Sequence, residues 1–183
     1  MGFSPKQRTE GDPMKSNELL LDAFGRIRET VESTLEGLDD ASLVRRPAGT
    51  GNSIAWLIWH LSRVEDAQVG SAAGVEQVWT AQGFVARFDL PLRARDTGYG
   101  HSTEQVDAVR ASPDLLLEYY DAVHRQTADF LRTLDDGDLD RVVDTRWNPP
   151  VTVGVRLVST IADCLQHVGQ AAYAKGLKPA EGG

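Results

Sequence analysis

Four segments of the chain repeat apolar residues at intervals of three and four positions, the spacing of an amphipathic helix. In chain order the predicted helices cover about 16–37, 53–70, 112–134 and 152–175. Ser16 and Ser112 are the predicted N-caps of the first and third helices, and Pro113 occupies a favoured first helical position. Gly176 provides a stop after the last helix. The pattern predicts an all-α protein with four long helices.

The apolar positions of each helix are expected to face a shared core. In the first helix they are Leu19, Leu20, Ala23, Ile27, Val31 and Leu35, and in the second Ile54, Leu57, Ile58, Leu61 and Val64. In the third helix they are Leu116, Tyr119 or Tyr120, Val123, Thr127, Phe130 and Leu134. In the last helix they are Val155, Val158, Ile161, Ala162, Leu165, Val168 and Ala172.

A long connection, residues 71–102, separates the second helix from the third. It is rich in glycine, and we expect a structured segment with one short helix near 79–86 and another after Ser102. Pro149 and Pro150 exclude helix from the segment before the last helix, and no alternating strand pattern is evident. The prediction is an antiparallel four-helix bundle with one long crossover between helices 2 and 3, spanning 16–177 between tails 1–15 and 178–183.

Composition narrows the class of protein. The chain has 183 residues, enough for one domain with a sizeable core, and a net charge of -8, which argues against nucleic acid as a partner. Its single cysteine, Cys164, excludes an internal disulfide and a cysteine-based zinc cluster. No segment reaches the roughly 18 apolar residues of a membrane span, and the first residues lack the apolar core of a signal peptide. We therefore expect a cytoplasmic protein with no membrane association.

The candidate chemistry lies on the second and last helices. Asp163 and His167 are four residues apart, so they lie about one turn, roughly 5.4 Å, apart on one helix face. His60, in the apolar segment "AWLIWHL", can add a second imidazole from a facing helix. Two imidazoles and one carboxylate suit zinc with an open position, and also iron or nickel. The alternative is structural: a hydrogen-bonded core histidine and an Asp–His pair that supports its helix.

Other polar residues are candidates for catalysis. Arg63 can meet an anionic substrate or pair with a carboxylate, and His101, in the glycine-rich "TGYGHS", can move a proton or cap the helix that follows. Gln170 continues the face of His167 and can orient a substrate. Trp56, one turn before His60, is expected to wall the pocket. His124 and Cys164 are assigned structural roles, since Cys164 points about 100° away from Asp163.

The segments "NSIAWLIWHLSRVED", "DTGYGHS" and "DCLQHVGQAAYAKG" resemble the DinB-like superfamily, and within it the branch related to mycothiol-dependent and other small-thiol transferases. The resemblance covers about 16–177. It implies a four-helix bundle that holds a divalent metal through His60, Asp163 and His167. The superfamily commonly has histidine at the position of Asp163. A carboxylate there also binds zinc, but it adds negative charge and lowers the Lewis acidity of the ion.

The resemblance implies a metal-dependent enzyme that transfers a low-molecular-weight thiol to a small electrophile. Zinc is the expected ion, with nickel or iron as alternatives, and the thiol is a cosubstrate. A metal-dependent hydrolase fits the same ligands. The non-enzymatic alternative is a stress-associated bundle that binds a metal or a ligand. A homodimer is a further expectation, because bundles pair readily through an exposed apolar face.

Overall fold

The computed structural model describes residues 13–177, and the four predicted long helices are present in it. The helices are α1 (Ser16–Leu35), α2 (Asp40–Val44), α3 (Ile54–Ala73), α4 (Val78–Ala81), α5 (Phe84–Phe88), α6 (Thr103–Ala108), α7 (Pro113–Thr133) and α8 (Val153–Gly176). Short 3₁₀ turns cover Pro47–Gly49 and Asp136–Asp140. Strands β1 (Val142–Asp144) and β2 (Val151–Thr152) form a small antiparallel hairpin before α8.

Side-chain caps start three of the long helices where the sequence predicts. The hydroxyl groups of Ser53, Ser112 and Thr152 accept hydrogen bonds from backbone N–H groups in the first turns of α3, α7 and α8. The N-cap of α1 is Lys15, so the predicted cap Ser16 is its first helical residue. α3 ends at Gly74, whose φ of 71° is the left-handed conformation that glycine favours.

The long helices pack as a ring. α1 packs against α7 and α8, and α3 packs against the same two helices. The first and second long helices therefore lie on a diagonal, so the bundle is not of the simple up-down-up-down type. α3 is the most buried helix, since residues from Ile54 to Arg63 are all buried. Side chains of α3 can therefore form a site inside the bundle.

The predicted inward face of α8 is largely wrong, since Val168 is the one residue of its seven that is buried. The residues that α8 buries are Val153, Leu157, Thr160, Cys164, Val168, Ala171 and Ala174. Val155, Val158 and Leu165 are 56%, 61% and 47% exposed. Ala162 and Ala172 are also exposed, and Ile161 is half-buried. The helix carries two apolar stripes, each with two valines and a leucine, and the predicted stripe faces away from the core. Leu19 of α1, at 58% exposed, is likewise outside the core.

The connection between α3 and α7 is folded against the bundle. The single short helix expected near 79–86 is two helices, α4 and α5, which meet at Gly83 with a φ of 73°. The aromatic side chains of Trp79, Phe84 and Phe88 pack on Tyr119 of α7. None of the helices within 13–177 combines the length and apolar character needed to cross a membrane.

Candidate metal centre

Three side chains from two packed helices, α3 and α8, meet at one place. His60 of α3 and Asp163 and His167 of α8 each bring one ligand atom into a group whose members lie within 4.8 Å of one another. Asp163 Oδ1 is 3.9 Å from Nε2 of His60 and 3.8 Å from Nε2 of His167. The ligand atoms of a tetrahedral ion with bonds of about 2.1 Å are roughly 3.4 Å apart. The two Asp163 distances are thus about half an ångström too long for one ion, and the whole group must contract from within 4.8 Å to that spacing.

The Asp163 carboxylate provides the test of whether these residues suit a metal. Its Oδ1 atom is buried, and no group within 13–177 forms a hydrogen bond with it. A buried carboxylate oxygen without a partner destabilises the folded state, because it has lost its hydrogen bonds to water and forms none with the protein. A divalent cation between the two imidazoles would satisfy this atom. The donor set of two nitrogens and one oxygen is one that zinc, iron and nickel accept.

The protonation of His60 is set by the backbone of the connection. Nδ1 of His60 lies at hydrogen-bond distance from the carbonyl oxygen of Thr97, which can only accept, so Nδ1 carries the proton. Nε2 is then the free lone pair, and it faces Asp163. Burial lowers the pKa of His60, the Thr97 carbonyl opposes that shift, and His167 adds to it. His60 is therefore held as a neutral imidazole with the tautomer a metal ligand needs.

The orientation of His167 is set by its own helix. Nδ1 of His167 lies 3.0 Å from Oε1 of Gln170, one turn further along α8. A proton on Nδ1 completes this hydrogen bond and leaves Nε2 directed at Asp163. The sequence suggests that Gln170 contacts substrate directly. In the structure it is placed to orient the imidazole of His167, a candidate metal ligand.

Trp56 and Gly98 enclose the His60 ring. The Trp56 indole stacks on His60 with ring centroids 4.6 Å apart, and its edge meets His167 at 6.1 Å, so it walls the cluster as predicted. Gly98 has a φ of 99°, and a Cβ there would stand 2.5 Å from Nδ1 of His60. Glycine is thus required twice over, for its backbone angle and for its lack of a side chain. Neither Thr97 nor Gly98 was predicted from the sequence, although both lie in the glycine-rich segment "DTGYGHS".

Arg63 lies outside the cluster and forms the carboxylate pair that was the alternative to contact with an anionic substrate. Its side chain is 1% exposed and pairs with Asp66 at 3.4 Å. The guanidinium also donates to Gln77, to Tyr119 and to the backbone carbonyls of Ala94 and Asp96. These bonds attach the connection to α3 immediately before Thr97. Arg63 therefore positions the segment that orients His60.

Asp66 completes this anchor. Its carboxylate accepts hydrogen bonds from the backbone N–H groups of Val78 and Trp79, at 2.8 and 2.9 Å, and from the hydroxyl of Tyr119 at 2.8 Å. Burial raises the pKa of Asp66, and these hydrogen bonds and Arg63 oppose the increase. The first helix of the connection is thereby fixed to α3.

His101 is linked to the cluster through Trp56. The indole N–H of Trp56 donates to Nδ1 of His101 at 3.2 Å, so a neutral His101 carries its proton on Nε2. Nε2 is buried and has no hydrogen-bond partner within 13–177. Burial lowers the pKa of His101. This geometry holds Trp56 against His60, and it leaves His101 without a free lone pair to accept a proton.

Cys164 is buried on the core face of α8, as predicted. Its Sγ lies 3.6 Å from the carbonyl oxygen of Leu61, and burial raises the pKa of the thiol well above its usual value. The side chain is therefore a small apolar group and not a nucleophile.

A groove opens beside Gln170. Its volume is about 270 Å³. The lining residues are Pro47, Gly51, Asn52, Leu57, Gln170, Tyr173 and Ala174. It is large enough for part of a small molecule, and one of its walls is the residue that orients His167.

Fold and site together define a class: four-helix-bundle proteins with a candidate metal centre of two histidines and one carboxylate between facing helices. Comparison with known proteins supports the fold of this class. The family model described as mycothiol S-transferase matches residues 19–177, and the chain belongs to this DinB-like family.

A solved structure gives the same fold. The crystal structure of a conserved protein from Enterococcus faecalis superimposes with a TM-score of 0.82 at 33% sequence identity, over 89% of this chain and 96% of that one. No curated protein sequence matches the chain.

Proposed function

We propose that the protein transfers a low-molecular-weight thiol of the mycothiol type to a small electrophile, using a divalent metal held by His60, Asp163 and His167. The family supports a thiol as the substrate class. The observation that carries the metal dependence is the buried, unpaired Oδ1 of Asp163 between two imidazoles whose Nε2 atoms are free. No group within 13–177 forms a hydrogen bond with that oxygen.

Zinc suits this donor set best, and nickel or iron accept it as well. A divalent ion held here would lower the pKa of a thiol bound to it and so provide a thiolate at neutral pH. Three protein ligands are the usual number for a catalytic ion, because a fourth position is then left for substrate. Asp163 in place of the family's usual histidine contributes a negative charge, which weakens the ion as a Lewis acid.

The chain's own residues prepare the site in three ways. Thr97 and Gln170 fix the two imidazoles so that both Nε2 atoms face Asp163. Trp56, held by His101, covers one face of His60 and excludes water from it. The Asp163 side chain, 39% exposed, marks the side from which substrate approaches. The groove beside Gln170 receives the unreactive part of the thiol.

The transfer joins the thiol sulfur to the electrophilic carbon. The S–H bond breaks, and the proton leaves to solvent or departs with the leaving group. Because Nδ1 of His101 already accepts the Trp56 N–H, we assign His101 a positioning role in this reaction. Gln170 has a positioning role through its contact with His167. Arg63 has a positioning role through the connection.

A reduced small thiol persists in the reducing compartment of a cell, so the proposed reaction belongs in the cytoplasm. The substrates are then a soluble thiol and a small electrophile, and no nucleic acid takes part.

The test is a conjugation assay with zinc-loaded protein, a fluorogenic alkylating electrophile, and mycothiol, glutathione or cysteine as the thiol. We expect turnover with at least one thiol and its loss in His60→Ala. His124→Gln, a half-buried histidine of α7 outside the cluster, is the control and should retain activity. Conjugation at the uncatalysed rate with every thiol would contradict the proposal. Metal-dependent ester hydrolysis without thiol would instead favour a hydrolase with the same ligands.

A further inference from the structure

The outward face of α8 differs from that of the other long helices. Within α8, which the structure describes in full, all eleven exposed residues are uncharged. In α1, five of the seven exposed residues are charged, and in α7 five of six. The three charged residues of α8, Arg156, Asp163 and Lys175, are only partly exposed, although the chain has 19 basic and 27 acidic residues. Solvated helix surfaces normally carry charged side chains, so this surface requires an explanation.

Six exposed positions of α8 follow a heptad. They are Val155, Val158, Ala162, Leu165, Gly169 and Ala172, at alternating intervals of three and four, and Tyr173, 71% exposed, is outside this series. This 3.5-residue period is the seam of two helices that pack side by side. A Cβ at Gly169 would meet nothing within 4 Å, so the seam is open in front of it. We name the surface formed by these six residues the α8 outer face; it does not include Gln170 and Tyr173, which line the groove beside the metal centre.

The occupant of the α8 outer face is constrained by charge. A strongly charged partner would find no ion to pair with on this surface. A second copy of the chain carries the same net charge of -8, and such copies repel least where neither presents a charge. A two-fold contact also places each side chain near its own equivalent, which an uncharged apolar stripe tolerates and a charged one does not.

The chain's own ends are poor candidates to cover the face. Residues 1–12 contribute only Met1 and Phe3 as large apolar side chains, and residues 178–183 contribute none. We propose that two copies of the protein pair through the α8 outer face, with α8 of one copy packed against α8 of the other about a two-fold axis. This dimer does not depend on the proposed function.

The expected affinity follows from the size of the face. Standard interfaces use roughly 20–30 residues from each partner, and the α8 outer face supplies six. We therefore expect a dissociation constant of about 1–10 μM, at the weak end for a specific dimer. Sedimentation equilibrium from about 1 to 100 μM brackets this value.

The test is the double variant Val158→Glu with Leu165→Glu. Each dimer would bury four carboxylates, so the dissociation constant should rise by more than about 100-fold. Leu19→Glu is the matched control: it places a glutamate at an exposed leucine of α1, outside the α8 outer face, and should leave the dimer intact. Circular dichroism checks that helix content is unchanged.

Ala172→Lys gives an independent variant, because lysine is a good helix former and residue 172 is exposed. It should weaken the dimer by at least about tenfold. A wild-type monomer at about 100 μM would overturn the proposal, and that is also the result expected if another segment of the chain covers α8. An oligomer whose stability is unchanged by the substitutions at 158 and 165 would overturn it equally.

Discussion

Gly98 lies against the imidazole of His60, so closely that a Cβ at residue 98 would stand 2.5 Å from Nδ1. Gly98→Ala must displace either the ring or the connection, and with it the hydrogen bond from His60 to Thr97. We expect a free energy of unfolding lower by about 1–3 kcal/mol, measured in urea, and metal affinity lower by more than about tenfold.

Gly100→Ala is the matched control for this substitution. Gly100 also has a positive φ, of 70°, but a Cβ there would meet nothing within 4 Å. Both alanines therefore carry the backbone strain, and only Gly98→Ala carries the clash. Equal metal affinities for the two variants would show that the contact with His60 does not matter.

The Gln170 side chain is expected to orient His167 and not to bind the metal. Gln170→Ala removes the 3.0 Å contact to Nδ1 and lets the ring rotate and change tautomer. We predict metal affinity lower by about 10–100-fold, measured by competition with a chromophoric chelator, with helix content unchanged. Gln166→Ala, an exposed glutamine of the same helix, should have no effect on affinity. Wild-type affinity in Gln170→Ala would remove its positioning role.

The Arg63–Asp66 pair is predicted to stabilise the fold and the site together. Arg63→Met leaves the Asp66 carboxylate buried without its ion-pair partner and frees the carbonyls of Ala94 and Asp96. The unfolding free energy should fall by about 3–5 kcal/mol, and metal affinity should fall with it because Thr97 loses its support. Arg26→Met, which breaks an exposed pair with Asp22, should change neither quantity noticeably.

Glu65 is predicted to make stability depend on pH. Its carboxyl is fully buried beside the Tyr120 hydroxyl, at 3.0 Å, and burial raises its pKa from 4.5 to about 7. Between these values the folded state binds more protons than the unfolded state. Stability should therefore fall as pH rises through that window, by up to about 1.4 kcal/mol per pH unit.

The comparison that isolates Glu65 is denaturation of Glu65→Gln from pH 5 to 8. Glutamine keeps an acceptor for Tyr120 and has no charge to desolvate. The variant should lack this decline and should exceed the wild-type protein in stability at pH 8. Parallel pH profiles for the two proteins would mean that Glu65 does not titrate in this range.

The long helices were predictable because their caps and periods are local. Ser53, Ser112 and Thr152 act on N–H groups three residues away, so the starts of α3, α7 and α8 follow from the sequence. The face that α8 buries was not predictable from its period. Its outer stripe carries two valines and a leucine in a regular heptad, and its buried stripe carries the same residue types in Val153, Leu157 and Val168. Only the packing of α1 and α3 decides between them.

Part of the site could likewise be predicted from spacing. Asp163 and His167 share a face because four residues make about one helical turn. To place His60 beside these two residues, one must assume that its helix faces theirs. The family resemblance supports that assumption. Thr97 and Gly98 could not be found in this way. Their position depends on Arg63 and Asp66 holding a connection whose path no local pattern describes.

The central claim is that His60, Asp163 and His167 bind one divalent ion. The most direct test is isothermal titration calorimetry, in which zinc is added to chelator-treated protein. The proteins compared are the wild type, the variants with alanine at each of the three positions, and Asp129→Ala as an exposed control. We predict one ion per chain in the wild type and control, and affinity lower by at least about 100-fold in each of the three variants. No binding by the wild type, or binding unchanged by the three substitutions, would contradict the account.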